Sequence, residues 1–140
     1  MRSFGCCLGF DFGLKKIGVA VGQFITLTSS PLPYIGARDG HPDMYQLKKL
    51  IHEWHPDCLV LGFPQSVDGQ DLSVTPKVQQ FGEVLKQFKL PVYFTDERMT
   101  TKEARQILFE LGGFKALAYG KSDSIAAAII LEQWMNEVDV

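Results

Sequence analysis

Carboxylates stand in three separate segments, each where an apolar run ends or begins. Asp11 lies between two phenylalanines, Asp96 and Glu97 close a second apolar run, and Asp123 precedes a third. Burying an unpaired charge is costly, so Asp11 needs a metal, a cation or backbone donors as a partner. Carboxylates without nearby histidine or cysteine suit hard cations such as Mg²⁺ or Mn²⁺. Two such ions activate a water and stabilise the leaving oxygen in phosphodiester cleavage.

Each of these residues also has an ordinary structural explanation. Amides of the following turn would satisfy Asp11, and the dipole of a helix N-terminus would stabilise Asp123. Asp96 and Glu97 would form a surface turn with a weak ion pair to Arg98. Successive strand residues face opposite sides, so only one of Asp96 and Glu97 can be a ligand, and spacing does not say which. The presence of acids at three suitable places favours a site.

The hydrophobic periodicity predicts an α/β protein with three strands first and alternating helices and strands afterwards. The first three strands form an antiparallel meander, and helical crossovers make the later two parallel. The predicted fold is a mixed five-stranded sheet with helices on both faces. Strands are predicted at 4–12, 17–21, 24–35, 57–63 and 91–97, and helices at 42–54, from Pro76 after Thr75 as N-cap, at 101–111, and from Ile125, after Ser122 as cap, to about Trp134.

This architecture predicts where the carboxylates meet. Ligands of such sheets bind outside the carboxyl ends of the strands, near the point where the strand order reverses. Asp11 ends the first predicted strand, Asp96 and Glu97 end the last, and Asp123 opens the final helix. We therefore expect the three segments to converge at one end of the sheet.

Length and composition indicate one soluble domain spanning residues 1–140. The chain is 46% hydrophobic and 21% charged, with a formal net charge of −2 from 14 basic and 16 acidic residues. If three of the acidic residues bind metal, 13 acidic residues remain against 14 basic ones. The net charge therefore does not exclude a polyanionic substrate. No run approaches the ~18 apolar residues of a membrane span. No signal-peptide cleavage site follows the N-terminus, so we expect a cytoplasmic protein.

The cysteines and histidines do not form a metal site in the sequence. Cys6, Cys7 and Cys58 lie in apolar runs, and their odd number and spacing argue against a disulfide framework or a zinc site. We expect them to fill the core in a reducing compartment. His41, His52 and His55 lie in and around one predicted helix, but no further ligand completes a set there, so we expect them to be solvated.

Four blocks of sequence together resemble one known family. They are Asp-Phe-Gly-Leu-Lys-Lys-Ile-Gly-Val-Ala-Val (11–21), Gly-Phe-Pro-Gln-Ser-Val-Asp-Gly (62–69), Thr-Asp-Glu-Arg-Met-Thr-Thr (95–101) and Lys-Ser-Asp-Ser-Ile-Ala-Ala-Ala (121–128). In this order they are similar to the YqgF/RuvX family of bacterial proteins. Met99 stands where leucine is usual, and residues 65–67 are a variant of the middle loop; neither changes the acidic set.

The resemblance implies an RNase H-like three-layer fold, similar to the RuvC Holliday junction resolvases. It implies a Mg²⁺-dependent nuclease that processes the 5′ end of precursor 16S ribosomal RNA, with Holliday junction resolution as the older proposal. Asp11, Glu97 and Asp123 would hold the metals, and Arg98 would contact a phosphate. The choice of Glu97 over Asp96 rests on the resemblance alone. Association with the ribosome is a further implication.

Other residues are candidate contacts to nucleic acid. Lys102 and Arg105 lie on the polar side of the predicted 101–111 helix, and Lys15 lies in the turn after Asp11. Ordinary solvated charge is the alternative for each. The loop at 114–119 carries aromatic side chains that would stack on unpaired bases, or it would simply cover part of the core.

The sequence leaves two other classes of function open. Asp-x-Gly followed by Gly-Val-Ala also resembles the phosphate-binding hairpin of the actin and Hsp70-like ATPases, but these bind nucleotide between two such domains. A non-catalytic RNA- or ribosome-binding module would keep the fold without turnover. Precursor RNA and branched DNA are both open as substrates. A resolvase is expected to be a two-fold dimer, and the lack of a spare apolar helix face favours a monomer or a weak homodimer.

Overall fold

The computed structural model describes residues 5–64, 75–97 and 124–138; for residues 63, 64, 75, 96 and 97 it describes the backbone alone. The predicted helix at 101–111 and the loop at 114–119 lie outside these ranges. The described elements are β1 (Cys6–Asp11), β2 (Lys16–Gln23), β3 (Thr28–Arg38), β4 (His41–Pro42), α1 (Met44–Trp54), β5 (Cys58–Pro64), α2 (Thr75–Lys86), β6 (Val92–Glu97) and α3 (Ile125–Glu137).

The strands form one mixed sheet in the order β4-β3-β2-β1-β5-β6. β1, β2 and β3 are antiparallel neighbours, whereas β1, β5 and β6 run parallel to one another. The predicted meander and parallel crossovers are confirmed. The sixth strand, β4, is a two-residue addition that pairs with the end of β3.

Both faces of the sheet are covered, as the three-layer prediction requires. On one face α1 and α2 cover a core that includes Leu8, Phe10, Leu59 and Leu61; we call this the α1/α2 face. On the other, the α3 face, α3 covers Cys7, Ala20, Cys58 and Val60. Residues of β1 and β5 alternate between these two cores, which explains why both strands are almost wholly apolar. No helix among the described residues is long and apolar enough to span a membrane.

Strand β3 contains Pro31 and Pro33 and runs beyond its predicted end. Pairing passes from Ile17 with Ile35 to Val19 with Leu32, so β3 contains one residue more than β2 over this stretch. The extra residue forms a bulge, and a bulge accommodates Pro33, which has no amide hydrogen for the ladder. The strand therefore extends to Arg38 rather than ending near residue 35.

The ends of the helices differ slightly from those predicted. Asp43 is the N-cap of α1, and its carboxylate accepts bonds from the amides of Tyr45 and Gln46. At α3 the N-cap position is Ser124, not Ser122, which lies outside the described residues. α3 also continues to Glu137, one turn beyond the predicted end.

Glycines let α3 approach the sheet closely. A Cβ at Gly9 would lie 2.9 Å from Leu131 Cβ, and a Cβ at Gly62 would lie 2.7 Å from Ile130 Cδ1. The side of α3 that faces the sheet includes Ala127 and Ala128, whose small side chains also allow a close approach. The position of α3, and of the chain that enters it, therefore depends on these small residues.

We expect Gly9→Ala to lower the free energy of unfolding by about 1–3 kcal/mol, because the new methyl group overpacks the contact with Leu131. Gly36→Ala is the matched control, since its Cβ would meet its nearest neighbour at an ordinary 3.6 Å. Urea unfolding of both variants measures the difference. Equal stability of the two would show that α3 does not pack as closely as described.

Candidate functional site

Asp11 is the last residue of β1, and its side chain is half-buried. The rings of Phe10 and Phe12 both pack against Phe81 of α2, with centroid distances of 5.6 and 5.8 Å. Asp11 is in register with Gly62, where an added Cβ would meet α3. Aligned residues of neighbouring strands share a face, so Asp11 belongs to the α3 face. The Phe-Asp-Phe sequence thus anchors the strand end on one face and presents a carboxylate on the other.

The turn after Asp11 is fixed by backbone hydrogen bonds to the end of β3 and the turn that follows it. The amide of Ala37 donates to the carbonyl oxygen of Lys15 at 2.8 Å, and the amide of Gly40 donates to that of Leu14 at 2.9 Å. A Cβ at Gly13 would lie 2.2 Å from the carbonyl oxygen of Lys16, so no larger residue fits there. The side chain of Lys15 is exposed at this end of the sheet.

Two pKa shifts bear on which groups carry charge near the sheet. The Lys77 ammonium donates a hydrogen bond to Asp39 and lowers the pKa of that carboxyl, which keeps α2 tied to the 39–40 turn. A hydrogen bond with Cys58, together with burial, raises the pKa of the Cys7 thiol. A buried thiol with a raised pKa is less reactive than a free one, which fits a structural role in the core. The predicted burial of the cysteines in the core is confirmed for Cys7 and Cys58, while Cys6 is partly exposed.

The register of the parallel strands distinguishes position 96 from position 97. Gly62, level with Asp11, pairs with Thr95 of β6. Tyr93 packs against Trp134 of α3 at a centroid distance of 5.1 Å, so positions 93, 95 and 97 belong to the α3 face. Phe94 instead lies against Gly82 of α2, which assigns position 96 to the α1/α2 face. By backbone register, position 97 shares the face of Asp11 and position 96 does not.

The start of α3 lies at the same end of the sheet. Buried Ser124 accepts a hydrogen bond through Oγ from the amide of Val19 at 2.9 Å, and Val19 pairs with Phe10, next to Asp11. Toward the other end of α3, Met135 lies against Gly22, which pairs with Cys7 near the start of β1. α3 therefore begins beside the carboxyl end of β1 and runs antiparallel to it.

The described residues cover only part of the predicted set. Within 5–64, 75–97 and 124–138, no three His, Cys, Asp or Glu side chains are grouped to hold a metal. The Glu97 side chain and all of Arg98, Lys102, Arg105 and Asp123 lie outside what is described. The structure thus places Asp11, the backbone of residue 97 and Ser124, the residue after Asp123, at one end of the sheet.

Comparison with known families extends over nearly the whole chain. A family model described as "RuvX: Holliday junction resolvase" matches residues 5–137. The chain belongs to the RuvX family. Among curated relatives, one from Legionella pneumophila (strain Lens) is 48% identical over 134 residues, covering 95% of this chain and 96% of the relative. One from Aeromonas salmonicida (strain A449) is 48% identical over 131 residues, covering 93% and 94%. Both carry the name "Putative pre-16S rRNA nuclease".

Solved structures similar to this RuvX-family chain confirm the RNase H-like fold. T. thermophilus RuvC in complex with Holliday junction substrate superimposes with a TM-score of 0.59 at 16% identity, covering 94% of each chain. The fowlpox virus Holliday junction resolvase gives 0.57 at 14% identity, covering 95% of this chain and 99% of the viral one. At these identities the likeness establishes the fold.

Sequence reasoning missed one residue that the structure brings to this end. Ser124 was not singled out, because its serine neighbour Ser122 offered an equally good helix cap. Its hydroxyl makes no capping bond within α3 and instead accepts from Val19. The sequence does contain a signal for this role, because Ser124 directly precedes a long apolar run. A serine buried with such a run needs a hydrogen-bond partner for its hydroxyl.

We expect Ser124→Ala to lower the free energy of unfolding by about 1–3 kcal/mol, because the Val19 amide is left without its partner. Ser124→Thr keeps the hydroxyl and should retain more of the stability. Ser30→Ala, at an exposed position of β3, is the control. Thermal or urea unfolding measures all three; an unchanged Ser124→Ala would show that this bond does not hold α3 in place.

Proposed function

We propose that this chain is a divalent-metal-dependent nuclease that hydrolyses phosphodiester bonds of precursor 16S ribosomal RNA, close to its 5′ end. The supporting observation is the register, which assigns positions 11 and 97 to one face at the end of the sheet where α3 begins. Membership of the RuvX family and the names of its curated relatives support the same reaction and substrate. The proposed location is the cytoplasm, consistent with three free thiols.

Asp11, Glu97 and Asp123 are the proposed metal ligands, and the proposed ion is Mg²⁺, with Mn²⁺ as substitute. The fit rests on two observations. Half-buried Asp11 lies at a strand end, and the donor set consists of carboxylates alone, which hard divalent cations prefer. When bound, such ions supply an activated water and neutralise charge on the leaving oxygen. The fold positions the carboxylates on one face. Phe10 and Phe12 anchor the end of β1 by packing on Phe81, and the hydrogen bond of Ser124 holds the start of α3.

Arg98, Lys15, Lys102 and Arg105 are the proposed contacts to the nucleic-acid backbone. Arg98 follows position 97 directly, and its forked guanidinium suits a phosphate. Lys15 is exposed in the turn after Asp11. Each lysine or arginine that neutralises one phosphate adds about one unit to the salt dependence of binding. Association with the ribosome belongs to the same proposal.

Holliday junction resolution is the second candidate, because the family description names it and the similar RuvC structure contains a junction substrate. A resolvase must cut two strands symmetrically and therefore needs a two-fold dimer. We propose a monomer or weak homodimer, which fits cleavage of a single RNA strand better.

Cleavage of two substrates tests the proposal. A precursor 16S rRNA fragment that spans the mature 5′ end and a four-way DNA junction are each incubated with the protein in Mg²⁺ and in EDTA, and the mass in solution is measured alongside. We expect Mg²⁺-dependent cutting of the RNA by a monomer. Symmetric cutting of the junction alone by a dimer would establish the resolvase instead. Binding of RNA without cutting of either substrate would establish a non-catalytic module.

A further inference from the structure

A lysine and a tyrosine next to the proposed active site form a pair that the proposed function leaves unused. The ammonium of Lys16, the first residue of β2, lies 4.8 Å from the ring centroid of Tyr34 on β3. Both side chains are exposed, Tyr34 by 37%. A cation over an aromatic ring at an exposed site stabilises a fold only slightly. The pair therefore contributes little to stability and presents an aromatic ring and a positive charge to solvent.

The register assigns this pair to the face of Asp11. Ile17 and Ile35 pair with each other and lie in the core of the α1/α2 face. By alternation Lys16, the neighbour of Ile17, belongs to the opposite, α3 face. Tyr34 lies in the bulge of β3, where alternation does not apply, and it is the contact with the Lys16 ammonium that assigns its ring to the same side. Gly18, two residues after Lys16, is the register partner of Asp11. β3 is two strand spacings from β1, about 10 Å, so one nucleic-acid strand can reach both Asp11 and Tyr34.

We propose that Lys16 and Tyr34 bind an unpaired nucleotide of the substrate beside the scissile phosphate. The Tyr34 ring stacks on the base, and the Lys16 ammonium neutralises the adjoining phosphate. In a duplex, the adjacent base pairs cover the faces of each base, so an aromatic side chain cannot stack there. An unpaired base leaves its face open to stacking. This inference rests on the proposed nuclease function and deepens it, because it makes single-stranded nucleic acid at this position the preferred substrate.

The pair lies on the opposite side of Asp11 from β6 in the strand order. A strand bound along this end of the sheet would cross β6, β5, β1, β2 and β3 in turn. The proposed ligands would then meet the scissile phosphate, and Tyr34 would hold a base on the β3 side. Recognition of a base there fixes the register of the strand relative to the metal site.

Binding measurements on four variants test this inference. Fluorescence anisotropy gives the Kd of the full chain for a single-stranded RNA and for the same RNA in a duplex, with Ca²⁺ in place of Mg²⁺ to prevent turnover. The variants are Tyr34→Leu, Tyr34→Trp and Lys16→Met, with Tyr45→Leu as control. Tyr45→Leu is the same substitution at a tyrosine that is 75% exposed on α1, the helix that covers the other face of the sheet.

We expect Tyr34→Leu to weaken single-strand binding about tenfold or more and to leave its salt dependence and the duplex Kd unchanged. Tyr34→Trp should restore binding, because it keeps a stacking surface. Lys16→Met should lower the salt slope by about one unit. Tyr45→Leu should bind like the wild type, and melting temperatures confirm that every variant is folded.

Three results would overturn the inference. If Tyr34→Leu binds single-stranded RNA as tightly as Tyr45→Leu does, Tyr34 does not contact a base, while the proposed nuclease function stands. If Tyr34→Leu weakens the binding of duplex and of single-stranded RNA equally, Tyr34 affects the shape of the site but does not recognise an unpaired base. Absence of any RNA binding by the wild type would reject the proposed substrate together with this pair.

Discussion

We expect Asp11→Asn to lower the rate of Mg²⁺-dependent cleavage by on the order of 10³-fold. The substitution keeps the size of the side chain and removes the charge that the proposed metal requires. Because Phe10 and Phe12 anchor the strand end on the α1/α2 face, the fold should be unaffected. Single-turnover cleavage of the precursor RNA measures the effect. Glu83→Gln is the control, since Glu83 is exposed on α2 and pairs only loosely with Lys86.

Thermal unfolding provides a second readout for the same variant, independent of activity. A ligand that binds the folded state at 100 times its Kd stabilises it by about 2.7 kcal/mol. Addition of Mg²⁺ should therefore raise the melting temperature of the wild type and of Glu83→Gln, but not of Asp11→Asn. An Asp11→Asn protein that cleaves at the wild-type rate would remove Asp11 from the site.

The second large effect separates the two neighbouring acids at the end of β6. We expect Glu97→Gln to lose activity by on the order of 10³-fold, because position 97 belongs to the face of Asp11. Asp96→Asn should stay within about twofold of the wild type, since position 96 belongs to the opposite face. Each variant is the matched control of the other, because both remove one carboxylate charge from adjacent positions that belong to opposite faces.

The same cleavage assay and melting curves measure both variants. A larger loss in Asp96→Asn than in Glu97→Gln would contradict the register of β5 and β6 as described. Equal, severe losses in two stably folded variants would mean that both acids reach the metal, which a regular strand end does not allow.

Much of the fold could be predicted because its signals are local. The all-apolar stretch that became β5 indicated a strand covered on both faces, and both cores indeed contact it. The Phe-Asp-Phe pattern around Asp11 reflected strand alternation. Thr75 and Pro76 predicted the start of α2 to within one residue, since the helix begins at Thr75 rather than at Pro76.

The remainder depended on pairings between segments distant in sequence. The third strand was predicted to end near residue 35, yet a bulge against β2 accommodates Pro33 and the strand continues to Arg38. The assignment of position 97 to the face of Asp11 needs the registers of two strand pairs, which spacing within β6 does not contain. The partner of Ser124 is Val19, 105 residues away, so no local pattern predicts their bond.

The central claim is that Asp11, Glu97 and Asp123 together bind a divalent metal at the carboxyl end of the sheet. Anomalous diffraction from crystals soaked in Mn²⁺ tests it most directly. We expect an anomalous peak bonded to carboxylate oxygens of these three residues, at distances of about 2.0–2.3 Å, and its loss in Asp11→Asn crystals. Carboxylates that point apart, with manganese bound elsewhere or not at all, would contradict the claim.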